Sequence, residues 1–152
     1  MSRPPGVRAL GVDPGSKRIG LAVSDISGTI ASPLTVLRRS SSKQHDLHEL
    51  ARIAREEGAE VIVVGLPLNM DGSEGRSAKA AIVDARRLAT LVDVPVELHD
   101  ERLTTVTADR DMAAAGLDAR ERRLVVDKIA AAIMLQSWLD ARANRLRSES
   151  DR

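Results

Sequence analysis

The chain has 152 residues and a formal net charge of +1, a length that suits one domain. It contains no cysteine, which excludes disulfides, thiol catalysis and cysteine-ligated metal centres. Its only aromatic residue is Trp138, so the core must be built from aliphatic side chains. The N-terminus lacks the apolar run of a signal peptide, and no apolar stretch is long enough to span a bilayer. We therefore expect a cytoplasmic protein that does not associate with membranes.

The N-terminal part of the chain predicts three strands joined by short turns. The strands cover 7–12, 18–24 and 29–37, and the turns fall at 14–16 and 27–28. Such short links indicate an antiparallel meander.

In the rest of the chain, the spacing of the apolar residues alternates between that of a helix and that of a strand. A helical stripe at 47–54 ends at Gly58, a β-branched strand follows at 61–64, and a loop rich in turn residues covers 66–75. A second helix with an apolar side at 78–89 precedes a strand at 95–99. Two further helices are predicted, a short one from Thr104 or Thr105 to Gly116 and a final one from the capping box of Asp118 and Glu121 to about 141.

This order of elements predicts the fold. Right-handed crossovers place the fourth and fifth strands parallel to the first, which gives a mixed five-stranded sheet in the order 3-2-1-4-5 with helices on both faces. Residues 1–141 form the predicted domain, and the basic segment 142–152 is predicted to be a disordered tail.

Asp13 follows the first predicted strand, which is central in this sheet. In open sheets with crossover helices, ligands bind beyond the carboxyl ends of the parallel strands. Alternation places Asp13 on the face of Val7, Ala9 and Gly11, whose small size leaves space above the sheet. A turn-forming Asp before proline and glycine is the competing interpretation.

Asp100 and Glu101 follow the fifth predicted strand, so parallel pairing brings them to the same edge as Asp13. An acidic cap for the following helix is the competing interpretation. The adjacent His99 is expected to have a structural role rather than to contact a ligand.

Asp127 shares a helical stripe with Leu124, Ala131, Met134 and Trp138, which should face the sheet. Burying a polar group there costs on the order of 2–7 kcal/mol unless it is compensated. A cation with neighbouring ligands would compensate it, as would an ion pair with Arg or Lys or a place at the solvated rim. We expect Asp127→Asn to raise thermal stability without metal, because it removes an unpaired buried charge.

Carboxylates that converge on one point repel each other and stay ionised together only beside a cation. Hard oxygen ligands select Mg²⁺ or Mn²⁺, and two such ions about 3.5–4 Å apart can activate a water and stabilise the leaving oxygen of a phosphodiester. The neighbouring Gly15-Ser16-Lys17 lacks the residue order of a P-loop. Its backbone N–H groups and Lys17 can still bind a phosphate, and a plain β-turn is an equal alternative.

The chain resembles the YqgF/RuvX family in four segments that lie in the family's order and cover nearly the whole chain. These are 12–20 (VDPGSKRIG), 64–73 (VGLPLNMDGS), 100–105 (DERLTT) and 127–136 (DKIAAAIMLQ). The resemblance implies an RNase H-like fold and a metal-dependent nuclease in which Asp13, Glu101 and Asp127 match the family's acidic positions. Alternation from Glu97 and His99 favours Glu101 over Asp100.

The resemblance also implies a nucleic-acid substrate. Members of the family are described as processors of the 5′ end of pre-16S rRNA and as Holliday-junction resolvases. The related RuvC-type resolvases carry a second acid one turn after the helix Asp, at a position that Ala130 occupies here, so this chain has three acids rather than four.

The leading hypothesis is therefore an endonuclease that acts on pre-16S rRNA in ribosome biogenesis with Mg²⁺ or Mn²⁺, two ions when substrate is bound. There are three alternatives. The protein could cleave branched DNA, which a homodimer would favour; it could be a nucleotide-binding fragment like one half of an actin-type ATPase; or it could be a non-catalytic nucleic-acid-binding or ribosome-assembly module. Basic clusters at 38–39, 120–123 and 142–147 permit nucleic-acid binding without requiring it. Candidate substrate contacts are Lys17, Arg18, Asn69, Arg76, Arg102 and Lys128.

Overall fold

Five strands form one mixed sheet in the order β3-β2-β1-β4-β5, as the sequence predicts. The structure is a computed structural model that describes residues 6–103 and 116–150. β1 is antiparallel to β2 and parallel to β4, β2 is antiparallel to β3, and β4 is parallel to β5. The strands are β1 (Ala9–Pro14), β2 (Arg18–Ser24), β3 (Ala31–Arg38), β4 (Val61–Leu66) and β5 (Val96–Asp100).

Three helices and a short 3-10 helix complete the described chain. They are α1 (Lys43–Glu56), α2 (Arg76–Ala89), the 3-10 helix (Glu101–Leu103) and α3 (Ala119–Ser150). The short helix predicted from Thr104 or Thr105 lies outside the described residues, apart from its expected end at Gly116. No helix of the described ranges is long and apolar enough to cross a bilayer.

The sheet is covered on both faces, as predicted, and each face has its own aliphatic core. One core joins the sheet to α1 and α2 through Leu10, Ile62, Leu50 and Leu88. The other core joins the opposite face to α3, and its buried members are Ala9, Ala22, Val61, Val63, Ala131, Ala132, Met134, Leu135, Trp138 and Leu139. The completely buried β-branched segment of β4 is thus explained by helices on both of its sides.

Helix α3 begins as its capping box predicts. The Asp118 carboxylate accepts a hydrogen bond from the backbone N–H of Glu121 at 2.8 Å, and this bond lowers the pKa of Asp118. The helix continues to Ser150, whereas the sequence predicts an end near 141 and a disordered tail. No glycine or proline follows Gly116, so the sequence contains no residue that would terminate the helix earlier.

Close packing of α3 depends on the small residues of β1. A Cβ on Gly11 would lie 2.9 Å from the Leu135 Cβ, so only glycine leaves room for this leucine. The space predicted above Ala9 and Gly11 is therefore real, and α3 fills it. Beyond Gly11, α3 carries Asp127 toward the end of β1.

Candidate functional site

Asp13 lies near the end of β1 between two glycines of the neighbouring strands. It pairs with Gly20 of β2, and Val12 before it pairs with Val64 of β4, so Gly65 lies level with Asp13 on the other side. All three residues face α3, because they alternate with the sheet residues of the α3 core. The Asp13 side chain is half-buried at this position.

Gly20 brings the Asp127 turn of α3 onto the sheet. A Cβ on Gly20 would lie 2.2 Å from the Asp127 carbonyl oxygen and 2.9 Å from its carbonyl carbon. Any side chain at this position would therefore push the helix backbone away. The absence of one allows Asp127 to lie beside the strand pair that holds Asp13.

Gly65 makes the corresponding space for Glu101. A Cβ on Gly65 would lie 2.5 Å from the Glu101 Oε1 and 3.0 Å from its Cδ, so the carboxylate of Glu101 lies over the end of β4. Glu101 is the first residue of the 3-10 helix that follows β5. Its carboxylate therefore approaches Asp13 from the side opposite to Asp127.

Asp100 has a different partner. Its carboxylate accepts a 2.7 Å bond from the Arg102 Nη2, and this interaction lowers the pKa of Asp100 and raises that of Arg102. Asp100 is thus engaged with Arg102, whereas Glu101 lies over Gly65, in the strand next to that of Asp13.

Asp127 is not the unpaired buried charge that its stripe predicts. Its Oδ2 accepts a 2.6 Å bond from the Arg18 Nε, and the two side chains are 27% and 28% exposed. The prediction was wrong because the stripe leaves the core at its N-terminal end: Met134 and Trp138 are buried, but Leu124 is 39% exposed. The guanidinium of Arg18 supplies the cation that a carboxylate at this place requires.

The oxygens of carboxylates such as Asp13, Glu101 and Asp127 are the ligands that hard divalent cations prefer. As placed, however, the described ranges 6–103 and 116–150 contain no group of three acidic or histidine side chains close enough to hold a metal ion. The ion pair with Arg18 accounts for part of this, because it directs one carboxylate of the set to the guanidinium.

The six predicted substrate contacts are spread over several elements. Arg18 is the first residue of β2 and is paired with Asp127, and Lys17 directly precedes it. Asn69 lies in the loop after β4, and the Arg102 Nη1 of the 3-10 helix donates to the Met70 carbonyl of that loop at 3.3 Å. Asn69 donates to the Ser73 Oγ at 3.0 Å. Arg76 is exposed at the first residue of α2, and Lys128 is half-buried next to Asp127.

Two neighbouring features have structural roles. The connection between β1 and β2 is tight, and the Gly15 N–H donates to the Arg18 carbonyl across it at 3.0 Å. His99 is buried and lies 2.9 Å from the Ser137 Oγ of α3, and its burial lowers its pKa.

Reasoning from the sequence did not identify Gly20 and Gly65 as parts of the site. The sequence does contain a signal for both positions. Each is a glycine within a strand, and each belongs to one of the segments that carry the family resemblance, 12–20 and 64–73. Glycine inside a strand marks a close approach of another group, and here both approaching groups belong to candidate site residues.

The chain is similar to known proteins over most of its length. Residues 7–141 match the model of the RuvX family, which is described as Holliday junction resolvase. A protein of Anaeromyxobacter sp. (strain K) named "Putative pre-16S rRNA nuclease" is 51% identical over 138 residues, which are 90% of this chain and 99% of that protein. A protein of the same name from Myxococcus xanthus (strain DK1622) is 49% identical over 135 residues, 89% of either chain.

Among solved structures, the fold is similar to that of T. thermophilus RuvC in complex with Holliday junction substrate. The TM-score is 0.59 at 19% identity, over 91% of this chain and 96% of that one. This likeness shows that the two chains share a fold.

Proposed function

The chain belongs to the RuvX family, and on that premise we propose that it is a metal-dependent endonuclease that processes the 5′ end of pre-16S rRNA. One observation carries the proposal: Asp13, Glu101 and Asp127 come from three separate elements to one end of β1, where Gly20 and Gly65 make room for them. The names of relatives about half identical to this chain support the reaction and the substrate.

The chemistry follows from the donor set. Two Mg²⁺ or Mn²⁺ ions held by the three carboxylates would supply an activated water and a positive charge beside the leaving oxygen. The chain's own residues hold and orient the substrate around that centre. Arg18, once released from Asp127, would bind the scissile phosphate, and the exposed Lys17 would bind the neighbouring phosphate.

The proposal places the protein in the cytoplasm with nucleic acid as its partner. The chain has a single aromatic residue, Trp138, which is only 7% exposed in the α3 core. The bases of a single strand therefore cannot stack on an aromatic side chain, and recognition depends on backbone and shape.

The test is cleavage of a precursor rRNA that contains the 5′ end of 16S rRNA. We expect cleavage with Mg²⁺ or Mn²⁺, none with EDTA, and none by Asp13→Asn, which removes one carboxylate charge and keeps the shape of the side chain. The variant should fold and bind RNA like the unaltered protein. Cleavage by Asp13→Asn at the wild-type rate would show that the three-carboxylate mechanism is wrong.

A second candidate substrate is branched DNA, because the description of the family model is Holliday junction resolvase. Ala130, which is buried within α3, stands where RuvC-type resolvases carry a further acid, and this departure favours RNA. A four-way DNA junction in the same assay separates the two. Symmetric cuts in the junction alone would assign the site to recombination and favour a homodimer, and no metal-dependent cleavage of either would leave a binding or assembly module.

A further inference from the structure

A groove of about 620 Å³ lies next to the proposed active site, between the start of β2, the end of β3 and the first turns of α3. Six of its ten lining residues are cations, and none is acidic. We call it the basic groove, and its cations are Lys17, Arg18, Arg38, Arg39, Arg120 and Arg123.

This concentration of charge is local. The whole chain carries 23 Lys and Arg against 22 Asp and Glu, so its surface is close to neutral on average. The groove joins three basic segments that are far apart in the sequence, at 17–18, 38–39 and 120–123. Cations of separate elements gathered in one concave surface mark a binding site for an extended anion, because each repels the others when the groove is empty.

Two of the six cations are bonded to other parts of the protein. Arg39 donates from Nε to the Gly15 carbonyl at 2.6 Å and lies 3.7 Å from the carboxylate of Asp84, and Arg18 is paired with Asp127. In the structure without substrate, bonds within the protein therefore hold both side chains in position.

Other cations of the groove remain available for a ligand. Lys17, Arg38 and Arg120 are exposed, and none of them has an ion-pair partner in the described part of the chain. Within residues 6–103 and 116–150, no acidic side chain therefore neutralises their charges.

The groove leads directly to the proposed active site. Arg18 lines the groove and also contacts the Asp127 carboxylate, and Arg123 lies one helical turn before Asp127 on α3. An anion that extends through the groove therefore reaches the end of β1, where Asp13 lies.

We propose that the basic groove binds the sugar-phosphate backbone of the nucleic acid on one side of the phosphate that is cut. This inference rests on the proposed function, because it extends the same site. Its lining offers charge and no exposed aromatic ring, so binding through it is independent of base sequence and strongly weakened by salt.

The test compares two double variants of the full chain that lose the same charge. Arg38→Gln with Arg120→Gln removes two exposed cations from the groove. Arg86→Gln with Arg87→Gln removes two exposed cations from the last turn of α2, on the opposite side of the sheet. All four arginines are exposed, so both proteins should keep the wild-type melting temperature.

Binding is measured in EDTA by fluorescence anisotropy against salt concentration, with a labelled RNA that contains the 5′ end of pre-16S rRNA and with a labelled four-way DNA junction. We expect the groove variant to lose roughly tenfold in affinity at low salt and to reduce the slope of log K against log salt by about 2, one for each lost phosphate contact. The α2 variant should keep both the affinity and the slope.

A second measurement needs no variant. Lys17 in the groove and Lys79 on α2 are both exposed, so both should react with an acetylating reagent in the free protein. Bound RNA should protect Lys17 and leave Lys79 reactive. If the groove variant binds like the α2 variant and Lys17 is not protected, the proposal that the groove binds the backbone is wrong. The proposed function would then still stand. Binding that depends on the groove without any metal-dependent cleavage would support the groove and overturn the proposed function.

Discussion

Gly65→Ala tests whether the space over β4 serves the carboxylate of Glu101. The added Cβ would lie 2.5 Å from the Glu101 Oε1, so the carboxylate must retreat by about 1 Å to reach the 3.4 Å of an ordinary contact. A displacement of about 1 Å in a catalytic group costs on the order of 100-fold in rate, which corresponds to about 2.7 kcal/mol of activation free energy.

The same substitution should leave the fold intact. The Cβ meets the flexible end of a side chain rather than backbone, and Gly65 does not adopt a positive φ. Replacing glycine by alanine in such a conformation stabilises a chain by about 0.4–1 kcal/mol through the unfolded state. We therefore expect an unchanged or slightly raised melting temperature together with the loss of activity.

Gly20→Ala is the matched comparison. Its Cβ would lie 2.2 Å from the backbone carbonyl oxygen of Asp127, which can move only with α3. This variant should lose both activity and stability, the latter by about 1–3 kcal/mol as in other overpacked cores.

The assay is single-turnover cleavage of precursor rRNA in Mn²⁺, with thermal melting of each protein measured beside it. Glu101→Gln gives the rate without the carboxylate charge. If Gly65→Ala cleaves at the wild-type rate while Glu101→Gln is inactive, the space over β4 is not required to position the carboxylate, and the reasoning from Gly65 fails.

Three further predictions concern stability. Asp127→Asn should lower metal-free stability by about 1 kcal/mol, since it weakens the pair with Arg18, and a raised melting temperature in EDTA would contradict that pairing. Asp25 has its pKa lowered from 3.8 to about 2, chiefly by the Ser27 hydroxyl, so its stabilising effect is present above pH 3.8 and is lost as the pH falls toward 2. In urea unfolding between pH 5 and pH 2, Asp25→Asn should therefore lose less stability than the wild type, and parallel losses would refute this. Leu135→Ala opens a cavity against Gly11 and should lower the free energy of unfolding by about 2–5 kcal/mol. Unfolding can be followed by the fluorescence of Trp138, and a loss below about 1 kcal/mol would show that α3 packs loosely there.

The sheet could be predicted from the sequence because its signals are local. Short turns indicate the meander of the first three strands, and the β-branched run at 61–64 indicates a strand covered on both faces. Because β1 and β5 run in the same direction, their carboxyl ends lie at the same edge of the sheet. Asp13 and Glu101 can therefore be placed at that edge without any knowledge of side-chain contacts.

The interactions of the candidate site could not be predicted in the same way. Arg18 and Asp127 are separated by 109 positions, and nothing in either segment identifies the other as its partner. Helix periodicity places Asp127 on the apolar side of α3, but it does not reveal where along its length the helix leaves the core. The roles of Gly20 and Gly65 likewise depend on which group lies above them.

The continuity of α3 has a consequence for where a strand would be cut. Arg120, Arg123 and Asp127 lie on one unbroken helix, so their spacing along its axis is fixed by the helix rise, about 6 Å from Arg123 to Asp127 and about 10 Å from Arg120. If the basic groove binds the backbone as proposed, a phosphate bound by either arginine lies at a set distance along the helix from the Asp127 carboxylate. The position of the cut would then follow from the position of that phosphate and not from the base sequence.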